Sequence, residues 1–247
     1  MSRSLNRIGK IAKWRVPLAA TLFWSVWACA WSAQPSSPPV KAIPIFVQPY
    51  YESARSEGTY PSVRVGSGFN SLLESSDPKA IMAARDKVQS APELVTPMTM
   101  MVLSIRLYDV GLRDESVFWF YAAKNRFYVA KAVLDFDSGS MSVVADTMNS
   151  FISLAGPFIN GYAFCDVEGQ KKTARKALDW TREHPYMAHL NSAVPRKAGD
   201  PELLRQKALA KGEDALAKEA AWIEDPVNRE KFESQRLTSS AKEKFCQ

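Results

Sequence analysis

The chain has 247 residues, 46% of them hydrophobic and 23% charged, ordinary values for a globular protein that exclude a disordered or collagen-like chain. Its formal net charge of +6 is concentrated at one end, because residues 1–30 hold Arg3, Arg7, Lys10, Lys13 and Arg15 and no acid. The remainder is close to neutral, which excludes a general attraction to nucleic acid or anionic lipid.

The N-terminal segment reads as an address. Met1 to Arg15 is basic and polar, and Val16 to Ala30 is uncharged and mostly apolar. That order, ending in the small residues Ala28, Cys29 and Ala30, fits a secretory signal over 1–30 cleaved before Trp31. Two other readings stay open. Val16 to Ala33 is uncharged and just long enough for a retained membrane anchor. Val26-Trp27-Ala28-Cys29 also looks like a bacterial lipobox with Cys29 as the lipidated residue, although Trp27 departs from the small residue preferred there. In each case the basic flank places the body outside the cytoplasm, periplasmic or attached to the envelope. The membrane is then met only through this segment.

With Cys29 in the leader, Cys165 and Cys246 remain, an even number for an oxidising compartment. They form the candidate disulfide, which would close a loop of ~80 residues at ~4 kcal/mol on the chain-entropy model. The alternative is one buried thiol and one loose terminal thiol. Neither has a metal-type partner at short spacing.

Residues 31–69 read as a linker and extended arm. Gln34 to Pro39 is Pro- and Ser-rich, and Val40 to Gly68 carries Pro44, Pro49 and Pro61, too many for a central strand. A short strand is expected at Ile45–Val47 or Ser62–Val65. From 70 to 239 the signals are helical. Asp77-Pro78, Thr96-Pro97, Asp200-Pro201 and Asp225-Pro226 each pair a capping oxygen with a proline whose φ is preset for a first turn. Met98 to Val110 is apolar nearly all round, which predicts a buried helix closed by Gly111. Phe120, Ala123, Phe127, Ala130 and Leu134 mark the next helix, from Asp114 to about Phe136. The stripe Val144, Met148, Phe151, Ala155, Phe158, Tyr162 follows, and Gly156-Pro157 predicts a kink or two helices within it. A shorter basic helix runs from Glu168 to Arg182, and Asn191 to Gly199 is a loop. A long helix with Leu209, Leu216 and Ile223 seven apart precedes a last short one. Residues 240–247 are a polar tail expected to fray. The fold class is all-α: an irregular antiparallel bundle or hairpin array of five to seven helices, with an extended N-terminal arm.

Leu107-Tyr108-Asp109-Val110-Gly111, followed by Asp114-Glu115-Ser116-Val117-Phe118-Trp119-Phe120-Tyr121-Ala122-Ala123, resembles one helical hairpin of the Sel1/tetratricopeptide kind. The likeness covers about 20 residues. Its turn is shorter than in typical units and no second copy is visible, whereas a solenoid needs about three repeats. What the resemblance implies is a protein-binding scaffold.

Chemistry-bearing patterns are sparse. His184 and His189, five apart around Pro185, lack the spacing of a metal-binding helix pair and read as surface-loop residues. Strings of the G-x-S-x-G, H-E-x-x-H, P-loop and G-x-G-x-x-G kinds are missing from the sequence. No catalytic, cofactor-binding or metal-ligating residue is therefore assigned, and no cofactor is expected. Arg106, on an otherwise apolar helix, is expected to be buried and paired with an acid of the adjoining turn, in a network of Arg106, Asp109 and Asp114, with Glu115 beside them. Lys171, Lys172, Arg175 and Lys176 read as a solvated face. The reading of function is an exported non-enzymatic module that binds another protein in a bacterial envelope, an immunity-type or toxin-neutralising protein being one version. The competing classes are an envelope enzyme of unrecognised type and a small-molecule or lipid pocket lined by Met98, Met100, Met101 and phenylalanines.

Overall fold

The computed structural model describes residues 38–48, 50–51, 62–137, 139–189 and 191–247. The leader with Cys29, and Pro49, lie outside them. Nine α-helices occur among the described residues: α1 (Asn70–Glu74), α2 (Pro78–Ser90), α3 (Pro97–Asp109), α4 (Arg113–Val133), α5 (Ser140–Ala163), α6 (Val167–Glu183), α7 (Pro201–Glu224), α8 (Pro226–Thr238) and α9 (Ala241–Phe245). Seven have 13 residues or more, and α1 and α9 are single turns of five. The architecture is an irregular antiparallel helical bundle. Pairing of β type is limited, among the described residues, to isolated bridges at Tyr51–Val63 and Leu134–Arg196; the expected arm strand shrinks to the first of these.

The capped starts form as local chemistry dictates. Asp77, Thr96, Asp200 and Asp225 accept hydrogen bonds from the N–H groups of Lys79, Thr99, Leu203 and Asn228, each ahead of a proline in the first turn. Asp166 caps α6 through Gly169 N–H in the same way without a proline, and is the start signal that the sequence reading passed over.

At the centre, every residue of α3 from Pro97 to Tyr108 is buried. Helices α1, α2, α4 and α5 pack around it. Gly111 closes α3 at φ +84°, with Leu112 N–H donating to Leu107 O and Gly111 N–H to Tyr108 O. This double bond pattern needs a left-handed residue at that position, so the turn into α4 is three residues long. Met98, Met100 and Met101 are packed inside this core, so a ligand pocket lined by them is not what they form.

Helix α4 then turns its second face to α6 and α7. Of the basic run on α6, Lys172, Arg175 and Lys176 are exposed, as a solvated face requires, and Lys171 is half-buried. Lys171 pairs with Glu168 and Glu224, Arg182 with Asp179 and Glu213, and Arg175 lies 3.9 Å from Glu213. Lys176 sits 5.4 Å above the Phe118 ring. Much of this run's counter-charge thus comes from α7 of the same chain.

Of the two outcomes expected at Gly156-Pro157, two separate helices do not form: α5 is one helix that contains Pro157. That proline is exposed, so its ring and the carbonyl left without its N–H face water and not the core. The tail, expected to fray, does not, because residues 241–245 form α9, whose Phe245 ring lies against Gly161 of α5. The arm is also docked: Ile43 is buried, its N–H donates to Asp109 Oδ1 (2.8 Å), and Val40 N–H donates to Lys244 O (2.8 Å).

Candidate functional site: the cross-linked corner

The α5–α6 junction, the start of α4, and α8 and α9 converge on one corner. Cys165, in the turn between α5 and α6, is joined by a disulfide to Cys246, 81 positions along the chain, with a Cα–Cα separation of 5.5 Å. Cys165 is exposed and Cys246 half-buried.

On one side of the disulfide lies a cavity of about 620 Å³ lined by Asp114, Tyr162, Asp166, Gln170, Thr173 and Gln247 among others. Tyr162 donates its hydroxyl proton to Asp114 Oδ1 at 2.8 Å. Partial burial, reinforced by that carboxylate, pushes the Tyr162 hydroxyl up to about 12. The Arg113 guanidinium sits over the Tyr108 and Tyr162 rings, and donates to Gln247 O (2.6 Å) and Val40 O (3.1 Å). One arginine thereby holds the start of the arm and the end of the chain together. Deeper in, Gln170 Nε2 donates to Tyr121 Oη (3.2 Å) and Glu219 Oε1 (2.9 Å), while Gln170 Oε1 is buried with no hydrogen-bond partner among the described residues.

On the other side a more apolar cavity of about 350 Å³ is lined by Phe164, Val167, Ile223, Phe232 and Leu237, with Arg229, Arg236 and Lys242 at its edge. Phe164 and Phe232 meet edge to face with centroids 5.3 Å apart, and Leu237 is 80% exposed. Both cysteines line both cavities.

The sequence-chosen residues are only partly brought together. Arg106 pairs with Asp109 at 2.5 Å, with both side chains buried. Asp114 is not in that pair; it serves Tyr162 instead, and Glu115 pairs with Arg85 of α2. The reason is geometric: Asp109 ends α3 while Asp114 and Glu115 start α4, so the Gly111 turn sends their side chains to different neighbours. His189 is buried, not on the surface, with neither ring nitrogen hydrogen-bonded among the described residues. Burial and the cations Arg205 and Arg126 push its imidazole down to about 4. Arg126, which the sequence reading missed, is 1% exposed. It donates to the carbonyls of Pro92, Val95 and His184 and faces the Trp180 ring at 4.8 Å. Its only signal in the sequence is a charge on the apolar side of α4.

Among the described residues no group of three or more His, Cys, Asp or Glu is placed to hold a metal ion, and no helix is long and apolar enough to cross a membrane. What the corner does offer is a polar recess, an apolar recess and an accessible sulfur–sulfur bond between them.

The chain is 36% identical over 215 residues to an uncharacterized protein of Haemophilus influenzae strain Rd, a span covering 85% of this chain and 81% of that protein. The chain belongs to that protein's family. No family model and no solved structure matches it.

Proposed function

We propose that this protein is an exported, non-enzymatic helical module of a bacterial envelope that binds another protein, neutralisation of a secreted toxin being the most concrete version. The observation that carries the reading is the apolar recess at the cross-linked corner. Phe164, Val167, Ile223 and Phe232 leave a cleft between α6, α8 and α9, and Leu237 stands exposed at its lip. A cleft of this size suits one or two apolar side chains of a partner segment, the way an amphipathic helix is anchored in a groove. Trp222 and Val227 are also exposed, on the neighbouring ends of α7 and α8. Export is supported by the basic-then-apolar leader and by a disulfide that closes across 81 residues, a bond that persists in oxidising compartments. The Sel1/tetratricopeptide-like α3–α4 hairpin agrees with a scaffold role.

The test is photo-crosslinking in cells of the producing bacterium from a photoactivatable residue at position 237. One discrete adduct in the envelope fraction is expected, lost on Phe232→Asp and missing when the probe stands at the exposed position 211 instead. A probe at 237 that yields no adduct, or the same adducts as position 211, contradicts the reading.

A further inference from the structure

Arg236 has an unusual set of neighbours. Arg85, Arg106, Arg182, Arg205 and Arg229 each pair with a carboxylate. Arg113 and Arg126 meet carbonyls and aromatic rings instead, and Arg236, likewise without a carboxylate within ion-pair distance among the described residues, is set apart by two sulfurs. Its Nη1 donates to Gly161 O at 3.2 Å, and its Nη2 lies 3.5 Å from Cys165 Sγ and 3.4 Å from Cys246 Sγ. The guanidinium rests 5.7 Å from the Phe232 ring centroid. A neutral disulfide sulfur is a weak acceptor and returns little to a cation held there. A thiolate in the same place returns far more. The arrangement therefore favours the state in which the bond has opened, as an oxyanion hole favours developing charge over the ground state.

Access fits that asymmetry. The two sulfurs stand between recesses of about 620 and 350 Å³, both open to solvent, and Cys165 is the more exposed cysteine.

We propose that the Cys165–Cys246 disulfide is a thiol-exchange site: it takes a thiol, attacked sulfur Cys165, with Arg236 as the residue that holds the leaving Cys246 thiolate. In the first step an incoming thiolate forms a bond to Cys165 Sγ, the Sγ–Sγ bond breaks, and its electron pair stays on Cys246. A second thiolate then attacks the incoming group's sulfur in the mixed disulfide and releases Cys165 as a thiolate. Two external thiols are oxidised to one disulfide, the protein's disulfide is reduced to two thiols, and the protons given up by the attacking thiols go to solvent or to the cysteines. Arg236 is a positioning and charge-stabilising residue of this exchange. Other charged residues line the two recesses: Asp114 from α4, Asp166 from the α5–α6 turn, Arg229 and Glu233 from α8, and Lys242 and Glu243 from α9. Glu233 is already engaged by Arg229, which leaves Arg236 as the cation in contact with both sulfurs. Opening the bond leaves α9 held by Phe245 against Gly161, by Val40 N–H to Lys244 O and by Arg113 to Gln247 O. The exchange goes beyond the binding reading and is separable from it, because it requires no protein partner at the apolar recess.

The experiment follows reduction of the oxidised full chain by glutathione without denaturant, by mass spectrometry, for wild type, Arg236→Lys and Arg236→Gln. Exchange of the folded protein is expected, with the first mixed disulfide on Cys165. Arg236→Gln slows it by roughly 5- to 10-fold while Arg236→Lys stays within about 2-fold. Salt slows the wild type and not Arg236→Gln. In the reduced protein the lowest thiol pKa, read from the pH profile of alkylation, rises by about one unit in Arg236→Gln. A parallel arm uses a reduced C-x-x-C dithiol protein; whichever reductant is faster supports the exchange and names its source. A bond that reduces only in denaturant overturns the proposal, as do equal wild-type and Arg236→Gln rates, a first adduct on Cys246, or a salt-independent wild-type rate, the last of which needs no variant to fold.

Discussion

Arg106 Nη1 lies 2.5 Å from Asp109 Oδ2, three residues along one helix, and the two side chains keep only 4% and 8% of their surface exposed. The pair is also a joint. Asp109 Oδ1 accepts from Ile43 N–H of the arm, and Arg106 donates to Leu73 O and Ser75 O at the end of α1. Removing one member leaves a buried charge and stranded carbonyls, which costs far more than the pair itself contributes. Arg106→Ala and Asp109→Ala are each expected to destabilise by about 3 kcal/mol or more in urea unfolding. The combined Arg106→Met, Asp109→Leu variant should lose less than the sum. Single variants with an unchanged midpoint contradict the joint.

Arg126 tests a different kind of buried cation, one held by three carbonyls and a tryptophan face instead of an acid. Desolvation brings its guanidinium down to about 10, still charged at neutral pH. Arg126→Met is expected to destabilise by roughly 3 kcal/mol, because carbonyls of Pro92, Val95 and His184 lose their donor inside the protein. Arg126→Lys should rescue little, since one ammonium lacks the planar fork that spans those carbonyls. Full rescue by lysine would show that charge alone matters there.

These two arginines also mark how far the sequence was readable. Aspartate–proline caps, the Gly111 turn and the period of α4 are local, so they survive translation into structure unchanged. A charge inside an apolar stripe announces that it needs partners, yet its partners lie 31 to 58 residues away for Arg126, beyond any spacing rule. The same distance hid the Tyr162 partner of Asp114. Pro157 does not divide its helix because a proline's cost there depends on which face it occupies, a tertiary fact. His189 misled because the nearby Pro185 and the loop that starts at Asn191 suggest exposed chain, while the fold buries this residue beside Tyr186.

His189 gives the protein a pH dependence with a definite sign. Its folded pKa, about 4, is below the ordinary 6.5. Between those values the unfolded chain binds a proton that the native state refuses, so stability rises with pH across this window and is lost as pH falls from 6.5 toward 4. The full effect is about 3 kcal/mol near pH 4. His189→Phe should flatten this part of the stability–pH curve, measured by urea midpoints between pH 4 and 7. An equal slope in the variant contradicts a neutral buried imidazole.

At Gly161 the tail packs directly on α5: a Cβ added there would lie 2.7 Å from two Phe245 ring carbons. Gly161→Ala is expected to displace the tail and lower the melting temperature, even though alanine favours helix over glycine by up to ~1 kcal/mol. Phe245→Ala in the same chain should recover part of the loss by making room. If Gly161→Ala raises the melting temperature in the oxidised protein, the tail does not pack where the structure puts it.

The proposed export of the helical body and the Cys165–Cys246 cross-link that pins its last residues can be read from one sample. Non-reducing peptide mapping of the protein from the envelope fraction of the producing cell tests both most directly. A chain beginning at Trp31 is expected, carrying a peptide pair joined through Cys165 and Cys246, with a melting temperature that falls by roughly 5–10 °C on reduction. An unprocessed chain recovered from the cytoplasm with two free thiols would contradict both.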